Sequence, residues 1–339
     1  YYDNVLNSKK DNRLIILKGG PGVGKSSFVK AIAKVFKQKG HAIEYLHCSG
    51  DGDSLDGICI PKIQVAIIDG TAPHMIDPKI PGAFDEIINL GRYLDQERLI
   101  PYKQEIQKAN QEKARCYKSA YRCLKAAQIM DSDSRMAYED CLDRKALREI
   151  TNHVIRRTLP AEQARVGNVR KLFASAITPE GAVSYIDTLI KGTSVIALKG
   201  EAAVSSQILG KLCQEAILSG YDAEACYCPM YPDQIEHLIL PELGTSIVSL
   251  HQQHPFAAEA AVDVDVDQAL NREALAGYLP SIAQNAALSE QLLERAYERI
   301  KRAKESHKKI EQYYISAMDF DGVGLEREAL LQRIMKQYA

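Results

Sequence analysis

A run of glycines near the N-terminus has the spacing of a phosphate-binding loop. Gly19 opens the pattern G-x-x-x-x-G-K-[ST], and Gly24, Lys25 and Ser26 complete it. Glycines let the backbone curl so that successive N–H groups point at one anion, and the positive N-terminus of the following helix adds to the attraction. We expect Lys25 to reach the terminal phosphates of ATP and the Ser26 hydroxyl to bind Mg²⁺. The predicted nucleotide-binding residues are Gly19, Gly20, Pro21, Gly22, Val23, Gly24, Lys25, Ser26 and Ser27.

A carboxylate for the metal follows the next buried strand. An apolar run (residues 65–68) ends at Asp69, which we predict to be a Mg²⁺ ligand, the alternative being an aspartate that only forms a turn. Many ATPases place a glutamate directly after this aspartate to activate water, but no glutamate follows here. The candidates for that task are Thr71, His74 and an acidic loop at residues 51–56. Thr71 and His74 form the predicted catalytic set with Lys25 and Asp69.

An acidic loop follows the second predicted strand, at the edge of the sheet where open α/β folds bind ligands. Its carboxylates are Asp51, Asp53 and Asp56. They could hold a second substrate or a catalytic water. A solvated turn rich in aspartate is an equally good interpretation.

The pattern around the loop occurs twice in the chain. The residues Leu-Lys-Gly at 17–19 return at 198–200, each time after a short β-prone run and before a helical stretch. Later features, including His74 and His254, recur in the same order at near-constant separation. We therefore predict a duplicated α/β unit.

The second copy has lost the residues that phosphate binding needs. Residues 200–206 keep only the first glycine and lack the lysine, and Glu201 would present a negative charge to phosphate. Ser249 stands where Asp69 would be. We expect this site to have a scaffold or regulatory role.

Apolar residues at spacings of three and four predict helices after each α/β unit. The first hairpin is predicted at about 92–157, with a break at residues 131–134, and the second at about 267–339. The predicted fold is α/β, with two tandem P-loop NTPase-like parallel-sheet units, each carrying a helical hairpin. The predicted domains are residues 1–160, with the intact loop, and residues 161–339, with the degenerate one.

The composition limits the class of protein. A net charge of −1 over 339 residues gives no reason to expect a nucleic-acid or membrane partner, and no apolar run is long enough for a membrane span. The 8 cysteines are scattered, which indicates reduced thiols in a cytoplasmic protein. Tyr1 is not an initiator methionine, and residues 170–184 have no counterpart before Tyr2, so we expect the natural protein to extend further upstream.

Several segments together resemble a known family. Residues 19–27, 47–57, 69–88 and 173–181 are similar to those of an uncharacterised bacterial family of duplicated P-loop ATPases. The resemblance covers nearly the whole chain and implies ATP binding in a bacterial cytoplasm. In that family the second unit often keeps a working P-loop, which this chain does not.

Three functions fit these residues. The first is a slow or partner-stimulated Mg²⁺-dependent ATPase that moves its hairpins to engage a protein partner. The second is a kinase that transfers the γ-phosphoryl group to a small molecule held by the acidic loop, and the third is an ATP sensor that hydrolyses negligibly. The long hairpins favour the first or third, whereas the acidic loop favours the second. No guanine-reading N-K-x-D sequence occurs in a suitable place, which favours ATP.

Overall fold

Strands form where aliphatic residues cluster, and the first strand leads into residues 19–24, called the glycine loop below. The computed structural model describes residues 4–5, 13–72, 75–250 and 260–338. In β1 (Arg13–Lys18), Ile15, Ile16 and Leu17 are fully buried, as expected for a strand covered on both faces of a sheet. After residues 19–24 the chain enters α1 (Lys25–Gln38), whose apolar face packs on this sheet.

The first sheet is mixed, with strands in the order β2-β3-β4-β1-β5. Its other strands are β2 (Glu44–His47), β3 (Leu55–Ile60), β4 (Val65–Asp69) and β5 (Glu86–Asn89). β4 and β5 run parallel to β1 on either side of it, whereas β3 is antiparallel to both of its neighbours. The prediction of a parallel sheet is therefore correct only around β1.

Short connections explain the antiparallel strand. Residues 48–54 join β2 to β3, and a 3₁₀ turn (Pro61–Ile63) followed by Gln64 in the left-handed conformation joins β3 to β4. A parallel pair needs a crossover of roughly a dozen residues or more. These connections are too short for one, so each makes a hairpin.

The second sheet repeats this arrangement. Its strands are β6 (Val169–Leu172), β9 (Ser194–Lys199), β10 (Ala223–Tyr227), β11 (Ile235–Leu240), β12 (Thr245–Leu250) and β13 (Val262–Asp265). Their order is β13-β9-β12-β11-β10-β6. The five strands β10, β11, β12, β9 and β13 have the same neighbours and directions as β2, β3, β4, β1 and β5. A separate hairpin is formed by β7 (Ser175–Thr178) and β8 (Gly181–Ser184).

Two long helices are the other main feature of the chain. The helices after α1 are α2 (Gln96–Leu99), α3 (Lys103–Asp140), α4 (Arg144–Thr158), α5 (Ile186–Leu189), α6 (Ala202–Leu218), α7 (Arg272–Ala276), α8 (Leu279–Ser316) and α9 (Phe320–Tyr338). Among the described helices, none combines the length and the apolar character that a membrane crossing needs.

The predicted break in the first hairpin was wrong. Residues 131–134 lie inside α3, and the helix ends only at Asp140. Their polar side chains are satisfied without leaving the helix, since Arg135 bonds Asp131 at 2.7 Å and the Ser132 hydroxyl donates to the Gln128 carbonyl at 2.7 Å. Aspartate and serine favour a break where they bond the backbone in a non-helical conformation, whereas the bond of Ser132 to a carbonyl four residues back is compatible with the helix.

The chain forms two compact units that differ from the two consecutive domains predicted. Unit I comprises the described residues of Tyr2–Ser119 and Glu298–Ala339, and unit II comprises those of Ala120–Tyr297. Both boundaries fall inside the long helices α3 and α8. In unit I the buried Leu330 and Ile334 of α9 share a core with Phe28 of α1, and in unit II Val154 of α4 belongs to the core around α6.

Candidate functional site

The glycine loop of unit I has a backbone that only glycine adopts readily. Gly22 and Gly24 have φ angles of 71° and 89°, in the left-handed region. The contact between Gly22 and α8 also excludes a side chain, because a Cβ there would lie 2.9 Å from the Glu311 carbonyl oxygen. The glycines of the sequence pattern therefore serve both the curl of the loop and a close approach by a helix.

The N-terminus of α1 faces this loop without a protein cap. Gly24 is the N-cap residue, no side chain among the described residues caps the helix, and its first turn has no acidic residue. The first N–H groups of a helix have no partner within it and carry a partial positive charge. This end of α1 is consequently suited to an anion.

Lys25 connects the loop to the end of β4. Its Nζ lies 3.0 Å from the Gly19 carbonyl oxygen, 2.8 Å from that of Gly20 and 3.4 Å from Oδ2 of Asp69. Asp69 is at the right place because it pairs with Leu17 in the parallel register of β4 and β1. The structure thus brings together the lysine and the carboxylate that the sequence selected separately.

The other predicted residues of this site have different surroundings. The Thr71 N–H donates to Oδ1 of Asp69 at 2.8 Å, and its hydroxyl donates to the same oxygen. The Ser26 hydroxyl oxygen accepts the Leu55 N–H at 3.0 Å. His74 lies outside the described residues. Thr71 therefore holds the carboxylate of Asp69.

The three acidic residues that were predicted as one loop have different surroundings. Asp51 forms an ion pair with Lys304 at 2.8 Å and accepts the Ser54 hydroxyl at 2.7 Å. Burial raises the pKa of Asp51, but the bonds and charge of Lys304, with the Ser54 bond, outweigh it and hold the pKa below its ordinary value. Asp53 is exposed, and Asp56 lies inside β3.

One face of α8 contacts the glycine loop, a contact that no pattern in the sequence predicts. Lys304, His307, Glu311 and Tyr314 repeat at spacings of three and four, which puts them on one side of a helix. Lys304 pairs with Asp51, Glu311 contacts Gly22, and a Cβ on Gly20 would lie 2.6 Å from the Tyr314 ring. The polar character of these residues could have marked the face, but only the structure shows what it contacts.

Burial and charge shift the pKa values of two residues on this face. Burial lowers the pKa of His307 to about 4, and the charges of Lys113 and Lys25 act in the same direction. Burial raises the pKa of Glu311, as does the charge of Asp51, against smaller opposing effects of Lys25 and the Gly22 N–H. A neutral histidine and a partly buried carboxylate therefore lie beside the cations of the loop.

The corresponding loop of unit II contains carboxylates of its own. The Glu201 side chain caps α6 by accepting the Ala203 N–H at 3.2 Å, and the Glu201 N–H donates to Asp267 at 2.8 Å. A Cβ on Gly200 would overlap the Asp267 carboxylate. Ser249 pairs with Leu198 in β9, the same register as Asp69 with Leu17.

No protein-family model, curated protein or solved structure matches this chain. The resemblance to duplicated P-loop ATPases therefore stays a prediction from the residues.

Proposed function

We propose that unit I binds ATP with Mg²⁺ at residues 19–27 and hydrolyses it slowly, or faster when a protein partner engages the helices. The observation that carries this proposal is the uncapped N-terminus of α1 behind the glycine loop, with Lys25 and Asp69 3.4 Å apart beside it. A helix end of this kind attracts phosphate, and the lysine and the carboxylate serve the terminal phosphates and the metal.

The residues present fit the ligand. Lys25 is held among the carbonyl oxygens of Gly19 and Gly20, so its ammonium group is already at the loop. Mg²⁺ keeps several waters and takes most of its other ligands from phosphates, so a hydroxyl and one carboxylate are sufficient from the protein. Ser26 and Asp69 would supply them.

Slow hydrolysis is the expected rate without a partner. The Thr71 hydroxyl donates its proton to a hydrogen bond with Asp69, so this proton is not available to orient a water molecule. Gly70 follows Asp69 in place of the usual glutamate. A group that activates water would then come from His74, from a rearrangement or from a partner.

A non-hydrolysing ATP sensor is the second candidate. The bonds from Thr71 to Asp69 support it, because they describe a residue that positions the carboxylate and not a water. The kinase alternative has less support. Asp51, its best acceptor for a substrate proton, is bonded to Lys304, and its lowered pKa makes it a weak base.

We further propose that the two α/β units arose by duplication, with the nucleotide site kept in unit I alone. The five shared strands with equal order and direction support this. The carboxylates of Glu201 and Asp267 at the loop of unit II oppose phosphate binding there.

The test compares the whole chain with two lysine variants. ATP with Mg²⁺ should raise the thermal unfolding midpoint of the wild type, and Lys25→Ala should weaken ATP binding by about 100-fold or more because a terminal-phosphate partner is lost. Lys34→Ala removes the same charge from an exposed position of α1 and should bind ATP like the wild type. Phosphate release by the wild type that Lys25→Ala abolishes supports the ATPase.

Each other result selects against part of the proposal. Tight ATP binding without phosphate release would favour the sensor. Transfer of labelled phosphate to a metabolite would favour the kinase. If ATP neither shifted the unfolding midpoint nor bound in a titration, the nucleotide site itself would be refuted.

A further inference from the structure

The helix face on the glycine loop carries a carboxylate, which is the wrong charge for a neighbour of phosphate. The backbone of α8 at Glu311 is close enough to Gly22 that a Cβ on the glycine would lie 3.2 Å from the Glu311 Cα. The ring of Tyr314 and the side chain of Ile315 pack on the same loop. Glu311 is therefore fixed beside the loop by several contacts of its helix and not by a single flexible side chain.

Two groups that would serve a bound phosphate already act on the Glu311 carboxyl. The Gly22 N–H and the charge of Lys25 both favour its ionised form, although burial has the larger and opposite effect. In loops of this pattern the backbone N–H groups and the lysine are the phosphate partners. A phosphate at these groups would compete with the carboxylate for the same positive charge.

The terminal phosphate adds to the charge that Glu311 opposes. In this kind of loop the N–H groups cradle the α- and β-phosphates, and the lysine reaches onward to the β- and γ-phosphates. Glu311 is near enough to Lys25 for the two charges to interact, and the ion pair of Lys304 with Asp51 holds the same face of α8 on unit I. A nucleoside diphosphate meets Glu311 at the Gly22 N–H, but it lacks the further negative charge that a triphosphate brings to Lys25.

We infer that Glu311 makes this site discriminate between nucleoside triphosphates and diphosphates, because its carboxylate repels the added charge of the terminal phosphate beside Lys25. Both nucleotides compete with Glu311 for the loop, and the triphosphate, which carries more negative charge, meets the larger repulsion. The inference rests on the proposed nucleotide site.

The test is a calorimetric titration of the whole chain with ATP and with ADP, both with Mg²⁺. Glu311→Gln keeps the shape of the side chain and removes its charge. It should tighten ATP binding by about tenfold, the effect of removing one like charge from a partly screened site, and tighten ADP binding by less, about threefold. Glu305→Gln makes the same change at an exposed position of α8 and should alter neither affinity.

Glu311→Asp provides a second variant, with the charge kept but withdrawn from the loop by one methylene. It should tighten ATP binding by less than Glu311→Gln does, and thermal unfolding without nucleotide checks that both variants fold. Equal tightening of ATP and ADP would overturn the inference, as would ATP binding that is unchanged or weaker. If the wild type binds nucleotide without this difference, only the inference fails. If no variant binds either nucleotide, the proposed function fails with it.

Discussion

The loops of units I and II occupy equivalent places in their sheets but have opposite charge arrangements. In unit I a lysine lies on the loop, and a glutamate, Glu311, faces it from a long helix. In unit II a glutamate, Glu201, lies on the loop, and the charge of Arg135 from the other long helix acts on it. Arg135 is held there by bonds to Asp131 and Gln234, each 2.7 Å long.

The difference shows two ways of providing hydrogen-bond acceptors for the N–H groups of the loop and of the first helical turn. In unit II the helix is capped by Glu201, and Asp267 accepts the loop N–H, so the protein supplies the negative charge permanently. In unit I no side chain of the described residues caps α1, and the Gly22 N–H acts on a carboxyl from a separate helix, that of Glu311. A carboxylate on a separate element could be exchanged for a ligand without loss of a helix cap, whereas removing Glu201 would leave an N–H group at the start of α6 without its partner.

Exchanging the residues at the ends of β4 and β12 should produce the largest effect. Ser249 is buried to 3% exposure, so Ser249→Asp would bury a carboxylate and destabilise the protein by about 3 kcal/mol. Asp69→Ser should lower the free energy of unfolding by about 1 kcal/mol or less, because the ion pair of Asp69 with Lys25 is partly solvated. The same substitution should weaken Mg²⁺-dependent ATP binding by about tenfold or more. Chemical denaturation and nucleotide titration measure the two effects.

Ser249→Ala is the control for this exchange, since it keeps the site small and uncharged. It should change the stability by much less than Ser249→Asp. If Ser249→Asp were tolerated and conferred Mg²⁺-dependent binding of ATP, unit II would be a latent nucleotide site and the contrast between the loops would be lost.

Adding a methyl group to the loop of unit I should have the second largest effect. Gly22→Ala combines a left-handed backbone with a contact on the Glu311 backbone, and we expect it to lower stability by about 2 kcal/mol. Gly40→Ala has a similar φ, of 80°, but meets nothing within 4 Å, and should cost only about 1 kcal/mol. Thermal unfolding of both variants gives the difference. Equal losses would mean that α8 does not press on the loop.

Acid should act in opposite directions on the two loops, with the smallest effect of the three. The folded-state pKa of His307, about 4, is below its unfolded value of 6.5, so its contribution to stability is complete above pH 6.5 and is lost as the pH falls towards 4. Burial raises the pKa of Glu201, with Arg135 opposing it. The stability linked to Glu201 is therefore present at low pH and is lost as the pH rises through its folded-state pKa.

Unfolding midpoints at two pH values measure these effects. When the pH falls from about 7.5 to about 5, the free energy of unfolding of the wild type should decrease by about 1 kcal/mol relative to that of His307→Gln, a value reduced for the partial exposure of the ring. Over the same pH range, the free energy of unfolding of the wild type should increase relative to that of Glu201→Gln. His153→Gln, at an exposed histidine of α4, is the control. A shift of the same sign for His307→Gln and Glu201→Gln would contradict the charge contrast.

Local patterns predicted the elements well but not their pairing. The buried strand before Gly19, the helix after it and the strand that ends at Asp69 follow from runs of residues that are adjacent in the chain. The antiparallel β3 could have been foreseen from its short connections. The continuity of α3 through residues 131–134 rests in part on local bonds of Asp131 and Ser132, but Asp133 also accepts a bond from Asn285 at 2.8 Å, and that contact with a distant segment could not have been foreseen.

The sequence by itself determined the glycine loop, its lysine and the absence of the full pattern and of a lysine from residues 200–206, because the geometry of a strand, a glycine turn and a helix is set by neighbouring residues. Only the tertiary structure decided which helix covers the loop. Glu311 and Gly22 come from opposite ends of the chain, and α9 joins the core of α1 through apolar residues that would fit other cores equally well. The spacing of apolar residues predicts that one face of a helix is buried, but the packing of the whole unit determines which element that face contacts.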